Sequence, residues 1–157
     1  MLKRVIQREE PAAAVSEAGW LDLESQATVE ITSEESNRPI EFAFRGGEEV
    51  GWRAGAPGAQ VIRLVFHRPQ RISRIRLRFS EKSGERTQEF VLRWAAGQSQ
   101  PFQEIVRQQW NFSPQGSHTE LEDYHVDLDA VGILELSVNP DIAGRKAFAS
   151  LEELRVG

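Results

Sequence analysis

The chain has 157 residues, of which 39% are hydrophobic and 27% charged, a balance that predicts a globular fold and argues against intrinsic disorder. It contains no cysteine, which excludes disulfide bonds and thiolate metal sites, and its formal net charge is −5. No apolar run is long enough for a signal peptide or a membrane span. We therefore expect one cytoplasmic domain over residues 1–157, with residues 1–19 as a peripheral segment.

The N-terminal third of the chain predicts one helical turn and two strands. Pro11 and the alanines after it favour a helical turn, and Trp20 and Leu21 are expected to anchor this segment to the core. Residues 27–32 and 40–44 alternate between apolar and polar side chains, which is typical of strands. Residues 45–59 contain five glycines and one proline, and they predict a long loop of the kind that often carries function.

The middle of the chain predicts a hairpin on which the rest of the fold depends. Residues 60–66 and 72–79 are rich in β-branched and large apolar side chains, and the segment between them contains Pro69. Proline cannot donate to a strand ladder, so we place it in a turn. The second run alternates strictly, which predicts one buried and one solvent-facing side; its apolar positions are Ile75, Leu77 and Phe79.

The C-terminal half predicts further short strands at residues 87–94, 102–109, 121–128, 131–138 and 148–156. A second loop is expected at residues 110–119. The total is roughly nine strands with no long helix, which favours an all-β protein, an antiparallel β-sandwich or jelly roll.

The order of several phrases resembles that of a known superfamily. A glycine-rich loop with Trp52 precedes the apolar strands, a later strand ends in Trp94 before a glycine turn and Phe102, and the chain closes on an Ala-x-Leu-x-Glu phrase that ends at Glu153. This layout is similar to that of the galactose-binding-like domains. It most resembles the discoidin, or factor V/VIII type C, group and the related carbohydrate-binding modules.

The resemblance implies a β-sandwich whose loops at one end bind a ligand. Many members of these families bind sugars, others bind phospholipid head groups or proteins, and few are catalytic alone. Some hold a structural calcium ion through an early Asp-rich loop and a late glutamate. Here Glu48 and Glu49 are present in that loop without an aspartate, so we expect no calcium and no other cofactor even though Glu153 is in place.

Five residues are predicted to bind a sugar, because an aromatic ring can stack on the sugar while planar polar groups bind its hydroxyls. We expect Trp110 to stack, Arg53 and Asn111 to bind hydroxyls, and His118 to add an orienting hydrogen bond, with Trp52 beside them. The alternative is that the aromatic residues close the ends of the sandwich.

Catalytic and metal-binding motifs are absent from the sequence. There is no Gly-x-Ser-x-Gly elbow, no Walker loop and no metal-binding histidine spacing. Asp127 and Asp129 could bind a divalent ion, but their position favours a turn. We therefore expect a binding module that is not an enzyme.

An arginine-rich stretch supports a rival hypothesis. Residues 45–93 hold 11 basic and 5 acidic side chains, and Arg63, Arg74, Arg76 and Arg78 are expected to share one strand face. That face could meet an acidic protein partner or the chain's own acidic regions. A contact with nucleic acid is a third alternative, which the acidic total opposes.

Overall fold

The computed structural model describes residues 19–45 and 50–157. Within them lie two single-turn helices, α1 (Leu23–Gln26) and α2 (Glu41–Arg45). The same ranges contain eight strands, which are β1 (Ala27–Ile31), β2 (Trp52–Arg53), β3 (Gln60–Ser80), β4 (Arg86–Ala95), β5 (Gln103–Phe112), β6 (Thr119–Asn139), β7 (Ser150–Leu151) and β8 (Glu153–Val156). No helix of the described ranges is long and apolar enough to cross a membrane.

Two long strands, β3 and β6, pair antiparallel over most of their length and belong to both layers of the fold. The first part of β3 lies in a layer of strand order β1-β3-β6-β4-β5. Beyond a region of register shifts between Val65 and Arg74, β3 pairs with the first half of β6 on one side and with β8 on the other. A separate two-stranded ladder joins β2 to β7.

The core lies between these layers. Phe79 on the three-stranded side and Phe90 on β4 stack with their ring centroids 5.2 Å apart. Ile75, Leu77 and Phe79 are fully buried, and the arginines between them face outwards, so the predicted alternation is confirmed. The predicted all-β antiparallel sandwich is also confirmed.

The central hairpin, in contrast, was a wrong prediction. Residues 60–80 form one bent strand, and its two halves pair with β6 rather than with each other. Pro69 lies where the β3–β6 ladder is interrupted, so its lack of an N–H costs no ladder hydrogen bond. The strands predicted at 121–128 and 131–138 are likewise one strand, β6, while the segment 148–156 divides into two.

Residues 40–44 were predicted as a strand, but residues 41–45 form helix α2. Ile40, Ala43 and Phe44 are buried, which is the i, i+3, i+4 spacing of a helix face. The Glu34 carboxylate accepts a hydrogen bond of 2.9 Å from the Ile40 N–H at the start of this turn. A five-residue segment is too short for its periodicity to separate a strand from a helical turn.

The N-terminal prediction is tested only in part. Trp20 and Leu21 are buried, as expected for residues that anchor the segment to the core. The helical turn predicted at Pro11 lies outside the described residues.

Gly132 of β6 permits a close backbone approach. A Cβ at this position would lie 2.3 Å from the carbonyl oxygen of Ala96, in the β4–β5 connection. We expect Gly132→Ala to reduce the free energy of unfolding by about 1–3 kcal/mol, since the clash is with backbone that must move. The urea midpoint of the variant measures this, with Gly116→Ala as the control because its Cβ would meet open space. Equal midpoints for the two variants would contradict the prediction.

Candidate functional site

The loops at one end of the sandwich enclose a small cavity, which we call the end pocket. It has a volume of about 270 Å³ and lies where β3 ends and β4 begins, beside the β6–β7 connection. Its lining includes Arg53, Glu81, Arg86, Asp141, Lys146 and Phe148. Cationic, acidic and aromatic side chains therefore meet here around a space open to solvent.

Arg53 and Phe148 form one wall of the end pocket. The guanidinium carbon of Arg53 lies 4.9 Å from the centroid of the Phe148 ring, a cation–π contact. Its Nε donates a 3.0 Å hydrogen bond to Glu35, and the β2–β7 ladder fixes the backbone of Arg53 opposite Ser150. These contacts orient a planar group that has further N–H donors.

Glu81 and Arg86 form a second wall. Arg86 is buried, donates to Glu81 at 2.9 Å and to the Pro140 carbonyl at 2.7 Å, and lies over the ring of Phe112. Burial raises the pKa of Glu81, but hydrogen bonds from Arg86 and Ser83 outweigh it, so the pKa lies below its ordinary value. Glu81 is therefore ionised at neutral pH and acts only as an acceptor.

The β6–β7 connection supplies the third side of the pocket. Asp141 is buried, receives a 2.7 Å hydrogen bond from Arg145 Nε, and accepts another from the Ala143 N–H at 3.0 Å. Burial raises the pKa of Asp141, yet these bonds and the charge of Arg145 hold it below its ordinary value. Lys146 is exposed at the rim of the pocket.

Of the five predicted site residues, only Arg53 lines the end pocket. Trp52 is 0% exposed, and its indole N–H donates to the Ser33 carbonyl at 3.0 Å, so no face of its ring is open to a ligand. The prediction that Trp52 contacts a sugar is therefore wrong in this structure. Side chains alternate across β2, so the residue next to an outward-facing arginine faces the core.

Trp110, Asn111 and His118 lie beside the end pocket rather than in it. Trp110 and Asn111 belong to β5 instead of a loop, and the Trp110 indole donates to the Ser117 carbonyl at 3.2 Å. Asn111 accepts a 2.6 Å hydrogen bond from the Thr87 hydroxyl. The His118 carbonyl accepts from the Glu81 N–H at 2.8 Å, which places this loop at the same end of the sandwich.

The predicted arginine face is divided between the two layers and is already paired. Arg74 and Arg76 both bind Asp123, at 2.8 and 3.1 Å, and both lie over the ring of Trp20. Arg63 lies on the other layer, where it binds Glu135. The expectation that Arg63 shares a face with the later arginines is therefore wrong, and the chain's own carboxylates meet these cations.

No metal centre is formed within residues 19–45 and 50–157, where no three His, Asp or Glu side chains are placed to hold an ion. Asp127 and Asp129 instead accept hydrogen bonds from Arg71, each at 2.6 Å. Glu153 pairs with Arg78 and Arg155. Glu48 and Glu49, the other calcium candidates, lie outside the described residues.

The architecture matches solved structures, although the sequence matches no protein-family model and no curated protein. The family 32 carbohydrate-binding module of NanJ from Clostridium perfringens, solved with galactose, has a TM-score of 0.61 at 17% identity. The match covers 85% of this chain and 94% of that module. Another family 32 module, from a C. perfringens family 31 glycoside hydrolase, has a TM-score of 0.63 at 13% identity, over 87% and 93% of the two chains.

The chain has the fold of the family 32 carbohydrate-binding modules. The same fold also occurs as part of larger enzymes. A fucosidase of Ruminococcus gnavus, solved with fucose, matches with a TM-score of 0.61 at 11% identity, over 85% of this chain but only 26% of the enzyme. The resemblance to galactose-binding-like domains predicted from the sequence is thereby confirmed at the level of the fold.

Several residues of the end pocket were missed by the sequence analysis. Glu81 and Arg86 flank a segment predicted only as a polar turn, and Asp141 and Lys146 lie in a turn-rich segment between two strands. The sequence signal that could have pointed to them is that both polar segments are connections at the ends of strands. Only the pairing of β3, β4 and β6 shows that these connections share one end.

Proposed function

We propose that this chain is a single, non-catalytic carbohydrate-binding module that holds a sugar in the end pocket. The observation that carries the proposal is the wall formed by Arg53 and Phe148, a fixed planar donor beside an aromatic ring, at the loop end of a family 32 fold. A sugar offers apolar C–H groups to such a ring and hydroxyls to such donors.

The surrounding side chains suit a ligand with many hydroxyls. Arg53 and Lys146 supply donors, while Glu81, whose side chain is 17% exposed, supplies an ionised acceptor on another wall. Arg53, Arg86 and Arg145 are each neutralised by a carboxylate. The pocket therefore presents paired donors and acceptors, which suits a hydroxylated ligand better than a strongly charged one.

The acids of the pocket also favour binding over hydrolysis. A glycosidase needs one carboxylic acid whose pKa is raised, so that it can protonate the leaving group. Glu81 and Asp141 have lowered pKa values, because the bonds from their arginine partners outweigh burial. Neither of the two is suited to act as a general acid at neutral pH.

A glycan array tests this proposal. Wild-type protein should give a defined set of hits, and Arg53→Ala and Phe148→Ala should each weaken them by about 10- to 100-fold, as expected for losing a charge-assisted hydrogen bond or a stacking contact. Arg68→Ala is the matched control, because Arg68 is exposed and does not line the end pocket. Circular dichroism should show that every variant is folded.

Trp110→Ala separates the end pocket from the loop site that the sequence predicts. If the sugar occupies the end pocket, this variant keeps the hits. Loss of the hits in Trp110→Ala, with Arg53→Ala unaffected, would move the site to residues 110–118. An array without hits for folded wild-type protein would overturn the proposed function.

A further inference from the structure

A second and larger cavity lies on the outer face of the five-stranded layer, and we call it the outer groove. Its volume is about 500 Å³, within the range of about 300–1,000 Å³ that is usual for ligand sites. Most of its lining comes from outward-facing side chains of β3, β4, β5 and β6 and from Phe102 of the β4–β5 connection. It is thus distinct from the end pocket.

A row of alternating charges crosses the layer beside this groove. Arg63 on β3 donates to Glu30 on β1 at 3.3 Å and to Glu135 on β6 at 2.6 Å, and Arg93 on β4 binds the other oxygen of Glu135. The Glu135 side chain is only 3% exposed although it faces outwards. Burial raises its pKa, but the two arginines outweigh this and keep it ionised.

The ring of Phe102 packs against the guanidinium groups of Arg93 and Arg63. The β4–β5 connection brings its ring centroid within 4.2 Å of the Arg93 guanidinium carbon and 6.0 Å of that of Arg63. Arg93 donates to Glu135 through Nε, and a guanidinium has five N–H groups. The N–H groups of Arg93 that do not bind Glu135 therefore remain as oriented donors in the groove.

The floor of the groove combines two valines with a serine. Val61, Ser137 and Val91 are register neighbours on three adjacent strands, and all three are half-buried. Arg107 stands on the opposite side and is held by Glu89 at 3.2 Å and Glu104 at 3.0 Å. The groove thus has a partly apolar floor between two sets of ion pairs.

We propose that the outer groove is a second binding site, for a neutral, extended saccharide chain. The two valines of the floor suit the C–H faces of sugar rings, and the ordered guanidinium groups at the sides suit hydroxyls. Each arginine of the groove has a carboxylate partner, so a polyanion would have to displace these pairs. The core of a protein interface is depleted in charged residues, which disfavours a protein partner.

This inference does not depend on sugar binding in the end pocket, although the two cavities are close. Asn139 lines the groove, and its side-chain oxygen accepts a 3.3 Å hydrogen bond from the N–H of Asp141, which lines the end pocket. A long saccharide could therefore reach from one to the other. Separate variants are needed to assign binding to each cavity.

Native gel electrophoresis through soluble polysaccharides tests the proposal. The probes are a neutral galactan, a mixed-linkage β-glucan and a galactomannan, with alginate as the anionic comparison. At least one neutral polymer should retard wild-type protein, and Arg93→Ala and Val91→Arg should each weaken that binding at least tenfold. Val91→Arg fills the floor of the groove and leaves the ion pairs in place. It therefore still tests the groove if Arg93→Ala fails to fold. Arg68→Ala is the control.

A second measurement follows the amide chemical shifts of wild-type protein during titration with a short oligosaccharide taken from the polymer that retards it. Shifts centred on Val61, Val91 and Phe102 would support the proposal. Shifts confined to Arg53, Lys146 and Phe148, with retardation lost only in Phe148→Ala, would overturn it and leave the end pocket standing. Retardation by alginate alone, or by none of the polymers, would also overturn it.

Discussion

Replacing Trp52 with alanine is expected to lower the free energy of unfolding by about 3–5 kcal/mol, because a fully buried indole is removed from the core. For a chain of this size, such a loss corresponds to a fall in Tm of roughly 6–20 °C. Urea denaturation followed by tryptophan fluorescence and circular dichroism measures the effect. Any change in sugar binding should then follow the loss of folded protein.

Trp52→Phe is the matched control for this experiment. It keeps an aromatic ring in the core but loses the 3.0 Å hydrogen bond to the Ser33 carbonyl, so an intermediate loss of stability is expected. A Trp52→Ala protein with wild-type stability but no sugar binding would contradict the structure. It would support the direct ligand contact that the sequence predicts for this residue.

Replacing Glu120 with glutamine is expected to stabilise the protein at pH 8 and to flatten the dependence of its stability on pH. Glu120 is 0% exposed inside the sandwich, where Gln88 donates to one oxygen at 3.3 Å. Among the described residues, its other oxygen and the Tyr124 hydroxyl are buried without a hydrogen-bond partner. Burial, and then the nearby Glu122 carboxyl, raise the pKa of Glu120 from 4.5 to about 8.

The raised pKa of Glu120 sets the sign of the expected effect. Between pH 4.5 and about 8 the folded state keeps this proton while the unfolded chain loses it. The free energy of unfolding should therefore fall as the pH rises through this window, by at most about 1.4 kcal/mol per pH unit, and should level off above it. Glu81, Glu135 and Asp141 have lowered pKa values, so their contributions are confined to lower pH.

Urea denaturation at pH 5, 6, 7 and 8 tests this expectation. Wild-type stability should fall across the series, whereas Glu120→Gln should show little slope because an amide needs no proton to remain neutral. Glu85→Gln is the control, since Glu85 is exposed and should retain the wild-type slope. Equal slopes in wild-type protein and Glu120→Gln would show that Glu120 does not hold the proton.

The class of the fold followed from short-range pattern alone. The alternation of Ile75, Leu77 and Phe79 with arginines predicted a strand with one buried side, and these residues are buried. The same pattern could not distinguish a hairpin at residues 60–79 from one bent strand. A period of two identifies which side chains face inwards, but not which strand lies alongside.

The candidate site could be predicted only in part for the same reason. Arg53 was selected from its loop and lines the end pocket, but its neighbour Trp52 is buried, although both residue types suit a sugar. Phe148 was assigned to a strand, yet its ring lies against Arg53 across 95 positions of the chain. Contacts of this separation depend on how strands pair.

The sequence by itself determined the β-rich character, the buried face of the central strand and the resemblance to galactose-binding-like domains, since these depend on periodicity and on the order of short phrases. Tertiary structure alone decided that β3 and β6 each run through both layers. It also decided that Arg63, Arg74 and Arg93 are neutralised by carboxylates distant in sequence, and that the end pocket and the outer groove form. These features arise from non-local pairing between strands, which alternation within a strand does not encode.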